Sequence, residues 1–184
     1  MLEGLYNGGG LMRRAYNDLG PVFSDPSIAD QITVELHNTT YSSIAYAASN
    51  VDLSITGTAT ISVPATYNGS YYITIKHRNH IETTTALRIS FGGSTINYAY
   101  DMPSKVYGGN LILMPGPGSH FAIFGGDVNH NGLVESFDMT PIDNLSSAFG
   151  YDFIVDVNCD GLIDSRDMTI VDNNNSGFVS SILP

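Results

Sequence analysis

Residues 156–167 read DVNCDGLIDSRD, and residues 127–138 read DVNHNGLVESFD. Carried six residues further, Asp127–Asn144 and Asp156–Asn173 match at 11 of 18 positions without a gap, at an offset of 29 residues. Chance does not produce a match of that density, so the C-terminal third is an internal repeat. The second stretch packs four aspartates and an asparagine around one glycine, in a chain where only 14% of residues are charged. Like charges gathered into one turn repel, and such a turn calls for a counter-charge.

Both copies fit the pattern D-x-[DN]-x-[DN]-G, and both carry a carboxylate at the twelfth position. Calcium takes six to eight oxygens at about 2.3–2.6 Å, so a loop that holds it must bend and aim oxygens inward from alternate positions. In the first loop these are Asp127, Asn129, Asn131, the carbonyl of Leu133, Glu135 and Asp138. In the second they are Asp156, Asn158, Asp160, the carbonyl of Leu162, Asp164 and Asp167. Two Ca2+ ions are therefore expected. Gly132 and Gly161 stand sixth, where the bend requires a backbone that few other residues accept. Val134 and Ile163, at position eight, are expected to be buried by back-to-back pairing of the loops, and His130 and Cys159, at position four, to face away from the metal. The first loop offers three carboxylates and the second four, which predicts tighter calcium binding in the second. A single acidic turn reads more readily as an Asx-rich loop without metal; two matched copies favour the ion.

Two twelve-residue calcium loops ending in Asp, each running into a helix and neither preceded by one, resemble a dockerin. The segments ahead of the loops, HFAIFGG and GYDFIV, read as strand or loop, in keeping with that resemblance. Thr140, Pro141 and Asp143 are read as a cap, a first-turn proline and a first-turn acid of the first helix. DMTIVDN continues the second, and Asn173–Gly177 ends it. The resemblance implies docking to a cohesin-like protein module through loop positions ten and eleven, which are Ser136 and Phe137 in one copy and Ser165 and Arg166 in the other. The departure is a phenylalanine opposite an arginine, where the family's usual hydroxyl pair and near-symmetry are absent.

Upstream, the chain reads as strands. In QITVELH, Ile32, Val34 and Leu36 alternate with Thr33, Glu35 and His37, the period of a half-buried strand. The same alternation recurs in VDLSI from Val51, TATISV from Thr58, YYITIKH from Tyr71, TALRISF from Thr85 and TINYAY from Thr95. Turn signals separate them at Asn68–Gly69, Gly92–Gly93 and Gly108–Gly109. The predicted fold is mainly β: an Ig-like antiparallel β-sandwich over residues 1–125, followed by a small dockerin-like domain of two calcium loop–helix units over residues 126–184. The opening residues, broken by Gly8–Gly10, are expected to form a strand, a glycine-rich turn and a lead-in packed on the sandwich edge. LEGLYNGG, ITVEL, YYITIKHRNHIET, GGDVNHNG and the closing FVSSILP resemble the C-terminal modules of large secreted bacterial surface proteins. That resemblance implies an extracellular or cell-surface location.

Composition narrows the partners. Aspartate and glutamate outnumber lysine and arginine by 18 to 7, giving a net charge of −11 that disfavours nucleic acid and anionic membranes. The imbalance lies in residues 127–184, where ten acids face the single base Arg166. One cysteine, Cys159, excludes an intramolecular disulfide. No run reaches a membrane span, and the N-terminus lacks a signal-peptide pattern, so an exported form would be a mature piece. The polar cluster Lys76–His80 is expected to fix a neighbouring loop, with Arg78 pairing an acid. The spacing of His77 and His80 at a strand end argues against both rings sharing a face. No nucleophile elbow or phosphate-cradling loop is present, so no enzymatic activity is expected. Three function classes remain: a noncatalytic calcium-binding docking or anchoring module, a subunit of a self-assembling extracellular filament made of further copies of the chain, and a carbohydrate-binding module that presents its tyrosines to polysaccharide.

Overall fold

The computed structural model describes all 184 residues. It is mainly β, with several antiparallel sheets and two C-terminal helices. The opening segment forms two short hairpins: β1 (Tyr6–Gly8) with β2 (Leu11–Met12), and β3 (Tyr16–Asn17) with β4 (Gly20–Pro21). The largest sheet contains β5 (Ile28–His37), β6 (Ile44–Ser54), β7 (Ser70–His77) and β8 (His80–Thr84), in the order β6-β5-β7-β8. A two-residue strand, β9 (Ile89–Ser90), continues the β8 edge along β7. A last hairpin pairs β10 (Ile112–Leu113) with β11 (Phe121–Ala122). The helices are α1 (Ser136–Ala148) and α2 (Ser165–Ser176).

β5 lies between β6 and β7, and it is buried on both faces. Ile32, Val34 and Leu36 point into the apolar core as their alternation predicts. Glu35 and His37, expected to be half-exposed, are buried too, because residues 38–43 fold back over that face. The Tyr41 ring stacks on His37 at 4.1 Å, and its hydroxyl bonds Thr74 and Thr84. Lys76 reaches Glu35 at 3.1 Å and offsets its charge.

Two segments read as strands are extended without being paired. Residues 58–63 and 95–100 alternate between exposed and half-buried side chains, but only one isolated bridge, Leu53 with Ala59, ties the first to a neighbour. Side chains anchor them instead. The Tyr46 hydroxyl donates to the carbonyl of Ser62, and that of Tyr100 to the carbonyl of Ile73. Of the expected TALRISF strand, Ile89–Ser90 pairs with β7 and Thr85 forms an isolated bridge with Val106. β8, by contrast, was not legible as a strand: four of its five residues are buried, so it shows no alternation, and Thr84 bonds across the sheet, its Oγ1 2.8 Å from Thr74 Oγ1.

The opening residues are interior rather than an edge lead-in. Leu2, Leu5, Met12 and Ala15 are at most 3% exposed. Glu3 donates its N–H to the carbonyl of Ile123, and Ile123 returns one to Met1, so the segment lies parallel to the approach to the repeat. These residues join the β5 side chains and Val128, Val134, Ile142, Val157 and Val171 in one contiguous cluster of 23 buried residues. The upstream sheet and the C-terminal repeat thus share a single core. Leu5→Ala should therefore cost about 2–5 kcal/mol, as a cavity in a packed core does. Urea unfolding is the measurement. A midpoint unchanged by the substitution would place the segment outside the core.

Candidate functional site

The two acidic turns have the same local build. Gly132 (φ 81°) and Gly161 (φ 88°) take the left-handed backbone expected at position six, and His130 (φ 59°) and Cys159 (φ 56°) do so at position four. In each loop the sixth-position N–H donates to the first-position carboxylate: Gly132 to Asp127 Oδ2 at 3.1 Å, and Gly161 to Asp156 Oδ2 at 2.9 Å. Asn129 Oδ1 accepts from the N–H of Asn131, and Asn158 Oδ1 from that of Asp160. These short bonds curl the backbone so that side-chain oxygens from alternate residues turn inward.

The twelfth-position carboxylates close the turns. Asp138 Oδ1 accepts from Val128 and Asn129, and its Oδ2 from Glu135. Asp167 takes the N–H groups of Asn158 and Asp164 in the same way. Because Asp138 and Asp167 stand third in their helices, they satisfy donors that a helix start would otherwise leave free. Helix α1 consequently begins at Ser136, with Glu135 as its cap, five residues before the cap expected at Thr140. Pro141 lies inside the helix rather than in its first turn. Gly177 ends α2 as expected. The buried helix positions, Ile142 and Val171, are 29 residues apart, so the repeat holds in three dimensions.

Of the twelve candidate ligands, Asp127, Asp138, Asp156, Asn158 and Asp167 are buried; Glu135, Asp160 and Asp164 are half-buried; Asn129 and Asn131 are exposed. Leu133 and Leu162 turn their side chains outward, and no backbone donor reaches their carbonyls. Asp127 Oδ1 is buried without a hydrogen-bond partner. Other contacts hold the remaining acids: Asn131 donates to Glu135 Oε1 at 2.8 Å, and Arg166 pairs with Asp160 Oδ2 at 3.0 Å. No three His, Cys, Asp or Glu side chains converge at metal-ligand spacing. The donor set the loops present is instead a mixture of carboxylates, amides and main-chain carbonyls, which suits a hard cation such as calcium. The orphaned, buried carboxylate oxygen of Asp127 fits that cation.

The two loops differ in depth and in partners. They were expected to pair back to back, but each pairs elsewhere. Val134 of the first loop donates to Val179, and Ser181 donates to Gly132, so the closing residues form its partner strand. In the second loop, Cys159 accepts from the N–H of Tyr16, and Asp160 lies parallel to the same residue. Position-eight Val134 and Ile163 are buried all the same, at 3% and 8% exposure. The second loop is the more enclosed: Cys159 is fully buried whereas His130 is exposed. Gly4 lies so close to the second loop that a Cβ there would fall 2.1 Å from the carbonyl oxygen of Val157.

Burial sets the electrostatics. It pushes the Asp156 carboxyl up to about 7, with the Asp167 and Asp160 charges adding to the shift against the hydrogen bond from Gly161. Asp167 rises to about 6 for the same reason, and Asp127 also rises, through burial and then Asp138. The Tyr151 hydroxyl lies 3.2 Å from Asp156 Oδ2.

The polar cluster at the tip of the β7–β8 hairpin was expected to fix a neighbouring loop, and it does. Arg78 pairs with Asp30 of β5, stands 3.7 Å over the Phe153 ring, and donates to Phe153 O at 3.0 Å. Burial alone would raise Asp30, but the hydrogen bond from His77 and the charge of Arg78 outweigh it and hold the carboxyl below its usual value. The two histidines do meet, contrary to expectation, because the two-residue turn sets His77 directly opposite His80. The N–H of Gly4 donates to His80 Nε2, which leaves the His80 proton on Nδ1, 2.9 Å from His77 Nδ1. His77 Nε2 lies between Arg78 Nη1, at 3.0 Å, and Asp30 Oδ2, at 3.3 Å. Burial lowers the pKa of both rings and so favours their neutral forms. Asn79 was not singled out from the sequence. Its only signal was its place at the centre of the densest polar run in the sheet.

Loop positions ten and eleven face solvent: Ser136 and Ser165 are exposed, Phe137 is 70% exposed, and the Arg166 side chain is 68% exposed. The tyrosines do not form a flat platform. Tyr41 meets Tyr72 at 70° and Tyr98 meets Tyr100 at 74°, and the hydroxyls of Tyr41, Tyr46, Tyr98 and Tyr100 all bond within the chain. Compared with family models, with curated proteins and with solved structures, the chain matches none.

A carboxyl whose pKa is raised by folding binds a proton more tightly folded than unfolded, so its contribution is favourable at low pH and is lost as the pH rises through its folded value. For Asp156 that window runs from about pH 4 to about pH 7. Asp156→Asn, in chelator, should raise Tm at pH 8 by roughly 5–10 °C and leave it nearly unchanged at about pH 4. Differential scanning fluorimetry reads both. An equal shift at the two pH values would assign the effect to packing instead of charge.

Proposed function

We propose that this chain is a noncatalytic, extracellular calcium-binding module in which two dockerin-like loops, each holding one Ca2+, brace the C-terminal repeat and present a surface to another protein module. On this reading, residues 1–125 act as a sandwich-like β module and residues 126–184 as the calcium-binding repeat. The observation that carries the proposal is the repeated cage. Each loop combines a buried first-position carboxylate, a left-handed sixth glycine and a twelfth-position carboxylate with no exposure, and in the first loop one buried carboxylate oxygen has no partner. Asp127, Asn129, Asn131, Leu133 O, Glu135 and Asp138 would hold the first ion; Asp156, Asn158, Asp160, Leu162 O, Asp164 and Asp167 would hold the second.

A divalent ion supplies the counter-charge that the crowded aspartates lack. Protons and calcium compete for Asp156 and Asp167, so binding releases protons below pH 7. The exposure of Phe137 and Arg166 supports protein docking at loop positions ten and eleven. No helix is long and apolar enough to cross a membrane.

Assembly of copies is the second reading, and one observation favours it. β6 is an eleven-residue strand at the edge of the largest sheet, paired on its outer side only where Leu53 meets Ala59. Unpaired strand edges are templates for another chain. Size-exclusion chromatography with light scattering, in calcium, distinguishes the two readings: a monomer at high concentration removes the second.

Calorimetric titration with CaCl2 should show two sites, the tighter one abolished by Asp156→Ala and the weaker one by Asp127→Ala. Calcium at a hundredfold excess over Kd should add about 2.7 kcal/mol per site, or roughly 5–10 °C in Tm. A melting curve indifferent to calcium and chelator would overturn the proposal.

A further inference from the structure

Two side chains at the tip of the β7–β8 hairpin, Arg78 and Asn79, end on the repeat. Asn79 is fully buried and donates its side-chain amide to the carbonyls of Asp156 at 2.8 Å and Ile154 at 3.2 Å. Its own main-chain carbonyl accepts the N–H of Gly126 at 2.7 Å. One residue therefore touches the entry of both loops, since Asp156 opens the second and Gly126 immediately precedes Asp127 of the first. Arg78 adds a bond from Nη2 to Cys159 Sγ at 2.8 Å, and Ile81, the second residue of β8, donates to Phe124. His80 and Asn79 Oδ1, 2.8 Å apart, fix the amide so that its Nδ2 faces the loop.

The two ties differ in kind. The first loop is held by a main-chain carbonyl, which no substitution at position 79 removes. The second is held by a side-chain amide, which truncation deletes. We propose that Asn79 is the positioning residue of the second loop: it fixes the backbone at Asp156, sets that loop's affinity for calcium, and couples the ion to the sheet through β8. The inference rests on the calcium reading given above. Its physical basis is pre-organisation. The Asp156 carboxylate is aimed by its own backbone, and a buried amide with two carbonyl acceptors holds that backbone in one place. Groups that orient ligands from behind typically change metal affinity 10–100-fold when lost. Coupling is reciprocal, so calcium in the second loop stabilises the hairpin tip by the same factor.

The experiment uses the full chain in two backgrounds, Asp127→Ala, which leaves the second loop intact, and Asp156→Ala, which leaves the first. Each is titrated with CaCl2 by calorimetry, with and without Asn79→Ala. The expected result is a loss of about tenfold or more in affinity in the first background and less than twofold in the second. Equal losses in both would mean general destabilisation, and no loss in either would mean that the amide is a bystander; each overturns the inference while the calcium reading stands. A wild-type chain that takes up no calcium removes both. Should Asn79→Ala fail to fold, amide hydrogen exchange of the wild type decides: calcium must slow exchange across Ile81–Thr84, and unchanged rates overturn the coupling.

Discussion

The constraint on which this structure depends is the placement of carboxylates where water does not reach. Asp138, Asp156 and Asp167 have no exposed surface, yet all three lie beside other acids. A protein tolerates that arrangement only when main-chain donors, protons or a cation meet the charge. Here the donors come from the loops themselves: each twelfth-position carboxylate satisfies the N–H groups at a helix start and at the loop entrance together. The same residues that suit a metal cage thus nucleate the helices, and the helices in turn bury Ile142 and Val171 to give the small repeat its share of the core.

That share is small, and the repeat does not stand alone. Its two helices carry few buried apolar residues, and the rest of its packing comes from the opening segment, the hairpin tip and the closing residues. The junction with the sheet is polar as well as apolar. Arg78, Asp30, His77, His80 and Asn79 form a buried network whose members are bonded to one another or to the repeat. A buried network of hydrogen bonds and ion pairs favours a single arrangement, because a slip strands donors and acceptors.

How much of this was legible in the sequence followed the range of the forces involved. The loops were legible residue by residue, since their geometry is set within twelve positions: glycine at the sixth, oxygens on alternate residues, an apolar side chain at the eighth. β5 and β7 were legible for the same local reason. Alternation proved to report an extended backbone with one side against the protein, not a hydrogen-bonded neighbour, so residues 58–63 and 95–100 read as strands and are none. β8 escaped because burial on both faces erases the period. What each loop would pair with was out of reach, because Tyr16 and Val179 are distant in sequence and lie in segments with no pattern of their own. The meeting of His77 and His80 needed the register of a hairpin turn, which spacing alone does not convey.

The strand partners of the two loops have a mechanical consequence. Residues 179–181 are laced to the first loop and Tyr16 to the second, both through main-chain bonds. Tension applied along the closing segment would load the bonds at Gly132 and Val134 of the first turn. At Tyr16 the load would be shared between Cys159 and the sheet, because the N–H of Ala15 donates to Ala29 of β5. A cage closed around an ion resists such deformation far better than an open one, so the force needed to peel either segment away becomes a readout of whether its turn is filled.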